Sequence, residues 1–172
     1  MTEAMKNLLE RRSVRAYTNE APSHDQLEQI MQAAVYAPSA MGQQSWHFLV
    51  IESPTAMQKV EALLAKALGR PDYHFYGAPA IILAAGPRDN RNAMADCAVA
   101  LENIFLAAHS LGLGTCWINQ FRDAWDDREL AAELTRLGLP EGYVVYGASI
   151  VGHPVSVGQP KPRRQGLVTY VK

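Results

Sequence analysis

Apolar positions along this chain change their period several times, and each change predicts an element. Met5, Leu8 and Leu9 form a short amphipathic start that ends at Glu10. Ser23 and Gln26 have capping-box spacing, and Leu27, Ile30, Met31 and Ala34 keep one apolar face, which predicts a helix over 24–36 stopped by Pro38. Positions 46–51 (WHFLVI) combine aromatic and β-branched residues and predict a buried strand. Ser53-Pro54 reads as an N-cap with proline at the first helical position, opening a helix to Leu68 that Gly69-Arg70-Pro71 ends. A second buried strand is predicted over 80–85, closed by Gly86-Pro87. The longest helix should cover 92–111, with Met94, Ala98, Leu101, Phe105, Ala108 and Leu111 in helical spacing and Gly112 past its end. It is apolar nearly all round, as a central helix would be. A short strand over 113–118, a helix over 127–137 and a strand over 143–151 follow. After a Pro-, Gly- and Lys/Arg-rich stretch, residues 167–171 predict a last strand.

This interleaving favours a single domain over 1–172 of α+β or mixed α/β type, a sheet flanked by helices. The tail finds little core of its own to join, so it is expected to wrap around a partner subunit.

The totals narrow the class. A chain of 172 residues with 48% hydrophobic and 19% charged residues describes an ordinary globular protein. It is long enough to bury roughly 70% of the surface its unfolded form exposes. A net charge of -1 argues against a nucleic-acid binder. No apolar run approaches the ~20 residues of a membrane span, and the first residues lack the order of a signal peptide. Cys97 and Cys116 form no CxxC pair, so a reducing cytoplasm is the expected setting.

Several chemistries find no support. No GxGxxG opens a helix after a first strand; Gly112-Leu113-Gly114 follows a helix instead. The five histidines are scattered, without the spacing of a metal-binding helix, and no GxSxG elbow is present. An enzyme of this composition would have its chemistry carried by a bound organic cofactor.

Four segments stand out instead. The first is Arg11-Arg12-Ser13-Val14-Arg15, three guanidinium groups and a hydroxyl in five positions, a donor set suited to bidentate capture of phosphate. The others are residues 37–48 (APSAMGQQSWHF), residues 111–118 (LGLGTCWI), and Gly152-His153-Pro154 with the later Lys161-Pro162-Arg163-Arg164. Taken singly, each has an ordinary reading: a solvated charge patch, a core strand, a helix stop, a soluble tail. In this order and spacing, over residue 8 to the C-terminus, the chain resembles the FMN-dependent nitroreductase family.

The resemblance implies an α+β sandwich with a central, mainly antiparallel sheet flanked by helices. It also implies a homodimer that exchanges the C-terminal arm and builds two FMN sites at its interface. Arg11, Arg12, Ser13 and Arg15 fall where the family holds the phosphate, ribityl chain and pyrimidine edge, with Arg15 near flavin N1 and O2. Positive charge there would stabilise the reduced, anionic flavin. Pro38, Ser39 and Gln44 match the loop that the second subunit lays against the ring. Leu113, Gly114 and Thr115 match the segment under the ring, and Lys161 and Arg163 the late basic pair on the phosphate. The implied activity is reduction of an electron-poor acceptor (nitroaromatic, quinone or flavin) with hydride from NAD(P)H, the two substrates alternating at one site in ping-pong fashion, with no dedicated catalytic side chain. The alternative is a non-catalytic flavin-binding or redox-sensing module. Gly42 and Ser45 depart from the family's usual Asn and Pro, and losing that amide removes a hydrogen bond worth ~1 kcal/mol. Cys116 is expected to be a buried, inert thiol, while Tyr73, His74, Phe75 and Tyr76 line a substrate channel or simply pack.

Overall fold

In the computed structural model, which describes residues 1–172, five α-helices surround one four-stranded sheet. The helices are α1 (Glu3–Glu10), α2 (His24–Val35), α3 (Pro54–Ala67), α4 (Ala93–Ser110) and α5 (Arg128–Arg136). The strands are β1 (His47–Ile51), β2 (Ala80–Pro87), β3 (Gly114–Ile118) and β4 (Tyr143–Gly152). They lie in the order β1-β2-β4-β3, every pair antiparallel. The α+β sandwich expected from the sequence is present.

Alternation along the strands separates two cores. Ile81, Leu83 and Ala85 of β2 face one side with Val60 and Leu64 of α3 and Leu130 and Leu134 of α5. Ala80, Ile82 and Ala84 face the other, against Ile30 of α2 and Leu101 and Ile104 of α4. Both sides of β2 are therefore buried, which is why its sequence reads as a continuous apolar run rather than an alternating one. A register shift between Ala84 and Ala85 leaves Tyr146 of β4 as the extra residue. The bulge lets Val145 and Ala148, three apart, share one face.

Local chemistry sets most boundaries. Ser23 and Gln26 form the predicted capping box, Ser53 and Asp127 cap α3 and α5 through their side chains, and Gly112 at φ +75° follows the end of α4.

Three expectations are corrected. Residues 47–50 are only half-buried because β1 is an edge strand. Met94 is 47% exposed, since the buried stripe of α4 runs instead through Ala93, Cys97, Leu101, Ile104 and Ala108. Residues 167–171 form no strand: they pair with no strand of this chain, and they lie exposed.

Candidate active site

The arginine cluster begins where α1 stops. Residues 11–15 run extended past the start of β3, where Ser13 bridges Thr115 in parallel fashion and the Val14 N–H donates to the Thr115 carbonyl at 2.8 Å. This short pairing brings the first and third predicted segments together. Val14 is buried at their contact, while Ser13 and Arg15 stay exposed. The fourth segment joins through Pro154, which bridges Tyr17, and through the Val155 N–H, which donates to the Ala16 carbonyl at 3.0 Å.

These strands and the end of α4 enclose a cleft of about 160 Å³ whose lining includes Arg11, Arg12, His109, Leu113, Thr115 and Pro154. Arg11 stacks its guanidinium over Phe105, 5.6 Å from the ring centroid, with Nε 3.7 Å from the Glu102 carboxylate. Arg12 folds back, donating from Nη1 to the Leu9 and Arg11 carbonyls at 2.7 Å each. The Nε atoms of both arginines are buried and have no hydrogen-bond partner. Buried donors without hydrogen bonds are costly; the Glu102 charge offsets this for Arg11 only, and two guanidinium groups lining one cleft suit an anionic ligand such as the phosphate of FMN.

The surroundings of Arg15 are aromatic. Its guanidinium lies 5.9 Å from the centroid of Tyr76, and Tyr76 meets His74 edge-on at 5.3 Å. Tyr76 adopts φ +57°, and its N–H is hydrogen-bonded to His74 Nδ1 at 3.0 Å. Phe75, by contrast, is a core residue stacked on Phe121. The aromatic run thus divides, with His74 and Tyr76 facing outward beside Arg15 and Phe75 packing inward. Cys116 is buried next to this ground. Burial pushes its thiol pKa up, while the Arg15 charge pulls the other way.

The second segment forms a tight loop at the start of α4. Ala40–Gly42 is a single 3₁₀ turn, and Ser39 Oγ accepts from the Gln44 N–H at 2.9 Å. Gly42 adopts φ +65° with no atom close to where a side chain would stand. Ser45 Oγ accepts from Asn90 Nδ2 at 3.1 Å.

Within one chain the four segments do not all meet. Lys161 and Arg163 lie on the exposed arm, which makes no hydrogen bond within the chain beyond that of Val155. Leu113 and Thr115 have buried side chains, so what they offer a ligand is chiefly backbone. The missing side chain of Gly114 is filled by Val14. A second cavity, of about 200 Å³, lies at the other end of β4 between α5 and Tyr143–Val145; it is mostly apolar and lined by no lysine or arginine. Two residues that sequence reasoning passed over, Asn90 and Asp96, hold the second segment in place. A carboxylate in the first turn of a mostly apolar helix was the available signal for Asp96.

A helix-flanked antiparallel sheet with an arginine-lined cleft beside the end of its long helix defines a class of ligand-binding α+β sandwich. The nitroreductase family model matches residues 8–153, and the chain belongs to that family. An Archaeoglobus fulgidus protein provisionally named NADH dehydrogenase/NAD(P)H nitroreductase is 32% identical over 158 residues, 90% of this chain and 87% of its own. The Bacillus subtilis FMN reductase [NAD(P)H] is 29% identical over 186 residues, 95% and 70% of the two chains. The crystal structure of a Bacteroides fragilis nitroreductase with bound FMN superposes with a TM-score of 0.92 at 34% identity, covering all of both chains. A Desulfitobacterium hafniense nitroreductase with bound FMN gives 0.90 at 34% identity with the same coverage.

Proposed function

We propose that this protein is an FMN-dependent oxidoreductase that uses NAD(P)H to reduce an electron-poor acceptor. The observation that carries this reading is the pair of arginines, Arg11 and Arg12, lining one cleft with residues 113–115, each with a buried Nε that makes no hydrogen bond. Family membership and the FMN bound in the two similar crystal structures support it.

The chemistry that bound FMN supplies is two-electron transfer from a nicotinamide to an acceptor such as a nitroaromatic, a quinone or free flavin. Arg11 and Arg12 hold the phosphate, and Ser13 donates along the ribityl chain. Arg15 stands at the pyrimidine edge, where a fixed cation favours the reduced flavin. Residues 113–115 present backbone beneath the ring. His74 and Tyr76, exposed beside Arg15, form one wall of the substrate pocket. One pocket serving donor and acceptor in turn gives ping-pong kinetics.

The proposed assembly is a homodimer. Val99, Met94 and Trp117 are exposed apolar residues on α4 and β3, and Leu167, Val168, Tyr170 and Val171 expose another apolar set on the arm. A partner covering these would bury them and bring Lys161 and Arg163 of the arm to a phosphate, with Pro38, Ser39 and Gln44 against the partner's flavin.

The test is the visible spectrum after FMN addition and desalting, followed by anaerobic NADH or NADPH. A retained flavin band that bleaches is expected. A retained band that does not bleach would leave a flavin-binding module, and no retained band would overturn the reading.

A further inference from the structure

The geometry points to Asp96 and Asn90 as positioning residues that hold the 39–45 loop in the shape needed to meet the flavin ring, an inference that rests on the FMN reading above. Met41 at φ +52° and Gln44 at φ +49° are left-handed without being glycine, and both flank Gly42 at φ +65°. Such backbone persists only where its surroundings over-determine it. Residues 41–44 are exposed, so side-chain packing does little to hold them. Two hydrogen bonds from outside the loop do.

At one end Asp96 Oδ1 accepts from the Ala40 N–H at 3.0 Å. At the other, Asn90 Nδ2 donates to Ser45 Oγ at 3.1 Å, while Asn90 Oδ1 accepts from the Asn92 N–H at 2.9 Å and so fixes the amide's orientation. Both anchors come from the first turn of α4 and the residues leading into it. Asp96 is only 5% exposed, and its Oδ2 has no partner. The first turn of α4 favours a carboxylate through the helix dipole, and this one is also buried against the loop. The two contacts tie the loop's ends to α4 and the residues leading into it, with Ser39 half-buried and Gln44 exposed, joined by their own hydrogen bond.

Amide hydrogen exchange of residues 39–45 in flavin-free protein, compared with FMN affinity, tests this. D96A and N90A should each speed exchange in the loop about 10-fold, the loss of roughly one hydrogen bond, with exchange in β2 unchanged. D96N keeps an acceptor at Oδ1 and should stay near wild type. In the FMN-loaded protein D96A should weaken FMN binding, whereas D96N should not. Unchanged loop exchange in both D96A and N90A, or a D96N variant as loosened as D96A, would overturn the inference. If D96A fails to fold, N90A and S45A, which touch only the second anchor, give the same reading. The exchange result stands even if wild-type protein retains no flavin, so failure of the FMN reading and failure of the loop assignment are distinguishable.

Discussion

Val14 occupies the space in which a side chain at position 114 would stand: a Cβ on Gly114 would lie 2.8 Å from the Val14 side chain. The contact locks the arginine segment against β3, because Val14 is also the residue whose N–H donates to Thr115. G114A must push Val14 away. Overpacking of this kind costs ~1–3 kcal/mol, so urea unfolding should show that loss. FMN affinity should fall with it, because the Ser13–Thr115 pairing shifts. A G114A protein with wild-type stability would show that the segment is free to move.

Arg12 tests the phosphate assignment. A charge-assisted hydrogen bond is worth ~1.5–3 kcal/mol, so R12A should raise the FMN dissociation constant by about 10- to 100-fold. Riboflavin lacks the phosphate, and its affinity should change little. Equal losses for both flavins would move Arg12 away from the phosphate.

Arg15 is assigned to the pyrimidine edge, and its charge should be read in the flavin potential. R15A is expected to lower the midpoint potential and weaken FMN binding, because the reduced, anionic flavin loses a neighbouring cation. R15K, which keeps the charge, should recover most of the potential. Spectroelectrochemical titration of the three proteins separates these outcomes.

Far from the site, Glu133 ties α3 to α5. Its carboxylate accepts from Arg136 and meets Lys59 Nζ at 2.6 Å, and these partners hold its pKa down from 4.5 to about 2. The folded-state value lies below the unfolded one, so the contribution is complete above about pH 4.5 and disappears as the pH falls through about 2. Urea unfolding of wild type and E133Q at a series of acid pH values should show a gap that closes over that window. A gap independent of pH would assign the effect to packing alone.

Short-range physics made much of this protein legible in its sequence. Ser23 and Gln26 announce a capping box because its partners are three residues apart, and Gly112 announces a helix end because it adopts a left-handed turn. The family resemblance rested on ordered motifs, and residues 11–15 and 113–115 do come together at β3. The edge position of β1, the outward turn of Met94 and the unpaired 167–171 segment were not legible, because each depends on which neighbours a sheet or helix face receives. The same holds for Asp96, whose partner Ala40 lies 56 residues away.

The sequence by itself determined helices α2 to α5, strands β1 to β4 and the basic cluster, since caps, turn residues and apolar periods act over a few residues. Only the tertiary structure decided that Arg11 and Arg12 line one cleft, each with a buried Nε that makes no hydrogen bond. It also decided that Phe75 joins the core while Tyr76 stands beside Arg15. Burial and pairing of polar groups are properties of the packed chain, set by contacts between segments far apart in sequence.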